Sequence, residues 1–78
     1  MKREYSKQAE KYIAGQNEKT RDTLFSDIAK LPSGDVKKLK GKKDSYRLRT
    51  GNIRILFKIM DNYIYIEKID NRGQVYKD

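Results

Sequence analysis

Three arginines, Arg47, Arg49 and Arg54, stand within Tyr46 to Phe57, YRLRTGNIRILF, at spacings that bring their guanidiniums together. Gly51-Asn52 separates two β-rich runs, a signal for a two-residue hairpin loop with positive φ. Such a loop sets Thr50 opposite Ile53, Arg49 opposite Arg54, Leu48 opposite Ile55, Arg47 opposite Leu56 and Tyr46 opposite Phe57. Side chains alternate along a strand, so Tyr46, Leu48, Ile53, Ile55 and Phe57 share one face, and the three arginines share the other. Like charges directly across a strand pair cost about 0.2–1 kcal/mol. An anion between Arg49 and Arg54 would remove that cost, and removing Arg54 alone would relieve it too. The chemistry such a set suits is the binding of a phosphate by planar forks.

The rest of the composition narrows the setting. The chain has 78 residues, enough for one domain with one small core spanning residues 1–78. It has no cysteine and no histidine, so thiolate and imidazole metal sites, disulfides and the commonest general base near neutral pH are excluded. No metal or cofactor is expected, and any catalysis must use Arg, Lys, Tyr or carboxylate groups. MKREYSKQ has no apolar leader-like run and no long apolar stretch follows, which points to a cytoplasmic protein away from membranes. The net charge of +8 is concentrated: residues 32–58 hold 9 Lys/Arg against 2 Asp/Glu, or +7, while residues 1–31 carry +2 and residues 59–78 carry −1. A basic block of this kind is the footprint of a polyanion partner.

The elements that would position the arginines can be read along the chain. Lys2–Tyr5 is a short first strand. Ser6 is a suitable N-cap, and Ala9, Tyr12 and Ile13 predict a helix over about 7–16. Leu24, Ile28 and Leu31, with Phe25 beside them, predict a second over about 18–30 that Pro32 ends. DVKKLKGKKD, residues 35–44, reads as an extended approach to the hairpin, anchored by Val36 and Leu39. Its lysines Lys37, Lys38, Lys40, Lys42 and Lys43 are candidate RNA-binding residues, or alternatively a solubilising loop. Asp61-Asn62 makes a second tight turn, and Tyr63–Ile69 forms the last long strand. Strict alternation would put Lys68 on the face of Ile64 and Ile66, so either the strand ends there or a bulge re-aims it. The expected class is α+β, two N-terminal helices packed on a twisted antiparallel sheet of about four strands.

Taken together, KKLKG at 37–41, YRLRTGNIRILF at 46–57 and IDNRGQVY at 69–76, after two amphipathic helices, resemble the RelE-like branch of the RelE/ParE toxin superfamily. The resemblance covers essentially the whole chain. It implies a small microbial RNase fold whose basic face cleaves messenger RNA on the ribosome, and a cognate antitoxin protein that covers that face. It assigns catalytic roles to Arg47, Arg49, Arg54, Arg72 and Tyr76. Metal-free RNA cleavage uses the substrate's own 2′-hydroxyl as nucleophile, and the protein's main tasks are positioning and stabilising charge on the phosphorane. Tyr76 could stack on a base or bond to the phosphate.

The chain departs from the family at two points. Relatives often carry lysine at the positions of Arg47 or Arg49, and many carry histidine where this chain has Asn71. Arginine does not deprotonate in proteins, which leaves Glu67 and Tyr76 as the candidates for general base. Two other readings belong to different classes: a ParE-like inhibitor of DNA gyrase, and a catalytically inactive RNA-binding relative.

Overall fold

A computed structural model describes residues 2–71. The elements run β1 (Lys2–Tyr5), α1 (Lys7–Ala14), α2 (Glu18–Ala29), β2 (Val36–Lys38), β3 (Ser45–Thr50), β4 (Ile53–Ile59) and β5 (Tyr63–Asn71). Their order in the sheet is β1-β5-β4-β3-β2. Both helices start on the caps their sequences supply. The Ser6 hydroxyl accepts from the Ala9 N–H at 3.1 Å, and the Asn17 side chain accepts from the Thr20 N–H at 2.8 Å. Gly15 stops α1 two residues short of the expected end.

The sheet differs from the expected one in two ways. It has five strands among the described residues, because Val36–Lys38 is not an unpaired approach but an edge strand antiparallel to β3. Val36 packs against the core, and the Arg49 N–H bonds the Asp35 carbonyl at 3.1 Å, extending the pairing by one residue. The sheet is also mixed: β1 pairs with β5 in parallel, Lys2 beside Tyr63 and Tyr5 beside Ile66. The two helices carry the chain from β1 at one edge of the sheet to β2 at the other, opening the long connection that the parallel pair requires.

The core lies between the helices and one sheet face. Ala9 and Ile13 come from α1, Leu24 and Ile28 from α2, Leu31 from the turn after it, and Leu48, Ile55, Phe57, Ile64, Ile66 and Ile69 from the sheet. Phe57 and six of the large aliphatic side chains among them expose essentially nothing, and each contributes roughly 1.5–3 kcal/mol by leaving water. Across the hairpin, Tyr46 stacks on Phe57 with centroids 5.6 Å apart. Phe25 falls outside this cluster at 48% exposure and meets Tyr5 edge-on at 6.3 Å. Tyr5 is held above its ordinary pKa by burial, opposed in part by the charge of Arg3.

Arg3 does work that the charge pattern did not reveal. α2 has no basic residue in its last turn, and the Arg3 fork from β1 takes that place. Its Nε donates to the Ile28 carbonyl at 3.2 Å, and its Nη2 donates to those of Ala29 and Leu31 at 2.9 Å each. A cation on the helix's orphan carbonyls satisfies them and complements the negative end of the dipole. Arg3→Met should therefore lower unfolding free energy by about 2 kcal/mol in denaturant titration, with Arg3→Lys recovering only part, since a compact ammonium lacks the broad fork that reaches the three carbonyls from two nitrogens.

Candidate active site

The hairpin forms in the expected register, with Arg49 opposite Arg54 and Arg47 opposite Leu56. Gly51 takes φ +60°, as a II′ turn requires of its first central residue. The Thr50 hydroxyl donates to the Asp27 carboxylate and ties the hairpin end to α2. Leu48, Ile55 and Phe57 enter the core while Arg47, Arg49 and Arg54 lie on the sheet face that carries no helix.

These arginines are not laid out on open solvent. Arg47 is 7% exposed and Arg54 6%, with Arg49 intermediate. The reason lies in strand order: β3 and β4 are inner strands, so each long side chain is flanked by neighbours on both sides. Arg47 has Lys37 on one side and Leu56 on the other. Arg54 has Arg49 on one side and Asp70 on the other. Arg47 approaches Asp35 at 3.9 Å, too far for a hydrogen bond, and its Nη1 is buried with no hydrogen-bond partner among the described residues. A buried guanidinium donor left unbonded is costly unless an acceptor arrives.

A β-bulge completes this face. Leu56 pairs with Lys68 while Phe57 pairs with Ile66, so Glu67 is the extra residue on β5. The bulge answers the question strict alternation raised: Ile69 returns to the core, and Lys68 and Asp70 join the arginine face, where they pair at 3.6 Å. Ser6 holds the bulge, its N–H donating to the Ile66 carbonyl at 2.9 Å and its hydroxyl to that of Glu67 at 2.7 Å. The Gln8 amide then stands in for a missing strand, donating to the Ile69 carbonyl and accepting from the Ile69 N–H at 2.9 Å each. Tyr12, next on the same helix, has its pKa raised by burial and secondarily by the Asp70 charge.

Of the expected site residues, then, Arg47, Arg49 and Arg54 are brought together. Arg72 and Tyr76 lie outside the described residues. Glu67 is exposed at the bulge. Lys37 shares the register position of Arg47 on the helix-free face, Lys38 falls on the opposite side of the edge strand, and Lys40, Lys42 and Lys43 sit exposed in the loop between β2 and β3. Three further charged residues belong to the face. Lys58 was legible from alternation, as it follows Arg54 and Leu56 at every second residue of β4. Lys68 and Asp70 were not, because their facing depends on the bulge.

No protein-family model matches the chain. Over 59 residues it is 39% identical to "Putative toxin RelE1" of Methanocaldococcus jannaschii; the matched stretch is 73% of this chain and 66% of that relative, just short of two thirds of its length. The toxin fold in the RelE-RelB complex of Pyrococcus horikoshii superimposes with a TM-score of 0.74 at 27% identity, covering 95% of this chain and 97% of that one. The chain is RelE-like, in sequence over that stretch and in fold over nearly all of its length. Two further RelE-like folds agree at lower identity. The RelB-RelE antitoxin-toxin complex of Methanococcus jannaschii gives a TM-score of 0.76 at 22% identity, covering 92% and 93% of the two chains. The RelBE complex of Escherichia coli gives 0.71 at 18%, covering 90% and 94%.

The burial of this RelE-like face changes what substitution should do. Truncating Arg54 removes a packed stem as well as a repelling charge, so relief of the Arg49 contact is outweighed. Arg54→Ala should lower unfolding free energy by about 1–3 kcal/mol, whereas Arg49→Ala, at a half-exposed position, should cost at least about 1 kcal/mol less. Parallel urea titrations of the two variants check the ordering.

Proposed function

We propose that this RelE-like chain is the toxin of a toxin-antitoxin pair and acts in the cytoplasm as a ribosome-dependent endonuclease on messenger RNA. The observation that carries the reading is the juxtaposition of Arg47, Arg49 and Arg54 on two adjacent inner strands, two of them almost fully buried. A side chain held by its neighbours cannot reorganise much, and preorganised donors aimed at developing charge are the strongest device available for phosphoryl chemistry. The 2′-hydroxyl of the message loses its proton and attacks the adjacent phosphorus, the bond to the 5′-oxygen of the next nucleotide breaks, that oxygen takes a proton from water, and a 2′,3′-cyclic phosphate and a 5′-hydroxyl result. Arginine forks neutralise the phosphorane in between. Of the two groups that could take the 2′-hydroxyl proton, Glu67 is solvated at the bulge and Tyr76 lies outside the described residues.

The resting partner is an antitoxin, in keeping with the similarity of this fold to RelE-like folds found in toxin-antitoxin complexes. A block of +7 within residues 32–58 calls for a segment bearing acidic residues to neutralise it. The lysines of the loop between β2 and β3 act at longer range, drawing in the RNA or ribosome by charge.

Two measurements test the reading. Brief expression without the antitoxin, followed by mapping of messenger 5′ ends, should show cuts inside translated codons; intact messages with broken DNA would replace it with gyrase poisoning. In single-turnover cleavage on programmed ribosomes, Arg54→Met, which keeps the stem and removes the fork, should slow the reaction roughly 100- to 1,000-fold. Lys42→Ala and Lys43→Ala should instead weaken binding modestly, more so at low salt.

A further inference from the structure

β5 is two-sided in an unusual way: Ile64 and Ile66 face the core, while Tyr63 and Tyr65 occupy the helix-free side. The register places these rings in the same row system as the arginines. Arg54 pairs with Asp70, Leu56 with Lys68 and Lys58 with Tyr65, and Tyr63 lies beyond. By strand rise, Lys58 is about 13 Å along β4 from Arg54. Both tyrosines and Lys58 are half-buried, so their bodies are fixed by neighbours and part of each remains accessible. Among the described residues the ring pairs are Tyr5 with Phe25 and Tyr46 with Phe57, so Tyr63 and Tyr65 stack on no other ring. Beside them is an open depression of about 370 Å³ lined by Lys2, Glu4, Asn62, Tyr63 and Tyr65. Glu4, which stands across from Tyr65, is engaged by Lys2 at 3.6 Å.

A strand that needed only to shield the sheet would be served by any β-former at these positions. Two unstacked aromatic faces with a lysine directly across from one of them, continuing a row that begins at a buried arginine, have the composition of a single-stranded nucleic-acid platform: rings for bases, cations for the backbone. We propose that Tyr65 and Tyr63, with Lys58, form a base-stacking subsite for the nucleotides of single-stranded RNA that adjoin the phosphate held by Arg54. This rests on the RNA-cleaving function proposed above and extends it from the point of cleavage to the path of the strand. Stacking accepts any base, so the subsite contributes grip and alignment with little sequence preference of its own.

The test uses the full chain and ribosomes programmed with a short message that is 2′-deoxy at the cleaved nucleotide and carries 2-aminopurine on either side of it. Stacking on a tyrosine should quench the 2-aminopurine on one side. Tyr65→Leu should abolish that quench and weaken binding roughly ten-fold, while melting like the wild type, and Tyr65→Phe should restore both. Phe25→Leu, which alters an exposed ring on the helical side, serves as the control. If Arg54→Met stops cleavage of an ordinary message but Tyr65→Leu changes neither quench nor affinity, the arginine site stands and the stacking subsite is wrong. If the wild type neither binds nor cuts the message, the proposed function falls and the subsite with it. If Tyr65→Leu weakens only capture of the purified antitoxin, the face is a protein-docking surface and the proposal is overturned.

Discussion

The bulge at Glu67 is the constraint on which both faces of the sheet depend. β5 must supply Ile64, Ile66 and Ile69 to one core, yet these positions do not share a single alternation. One extra residue resolves the conflict, and it does so twice over, returning Ile69 to the core and delivering Lys68 and Asp70 to the arginine face. A bulge leaves backbone groups out of the ladder, and here the start of α1 satisfies them. Ser6 caps its own helix through Ala9 and holds the carbonyl of Glu67 with the same hydroxyl, while Gln8 closes the edge at Ile69. Helix start, strand register and site composition are thus one linked arrangement.

The chain separates its two tasks by sheet face. One face, covered by two short helices, holds every large apolar side chain of the core. The other holds charge, packed tightly enough that two guanidiniums lie almost out of solvent. That packing explains how a molecule this small can present rigid cations. A lysine in the loop before β3 is free to move; an arginine on an inner strand is confined by the side chains to either side. The cost is electrostatic, since Arg49 faces Arg54 directly, and it is the kind of cost that a bound phosphate would reverse. Asp70 and Asp35 border the cluster and temper its field.

Not all arginines of the chain serve that face. Arg3 lies at the far edge and closes the end of α2, a purely structural use of the same planar fork. Net charge therefore overstates the charge available to a polyanion, and position on the sheet decides which guanidiniums count. The similarity to RelE-like folds extends over almost the entire chain, so both faces of the sheet fall within it.

Local signals in the sequence determined the hairpin outright. A glycine turn and period-two alternation specify register without reference to the rest of the molecule, and Arg49 indeed faces Arg54. The helices were equally legible, because their caps and apolar spacing lie within a few residues of each other, and the family followed from the ordered motifs. Tertiary structure alone decided the remainder. The parallel docking of β1 on β5 joins segments about 60 residues apart, and no local pattern encodes it. Val36–Lys38 becomes a strand only because β3 offers an edge. The facing of Lys68 and Asp70 depends on a bulge held by Ser6, and the burial of Arg47 and Arg54 depends on their strands having neighbours on both sides. Register is a property of adjacent residues, whereas burial, edge pairing and facing beyond a bulge are properties of what the fold places alongside.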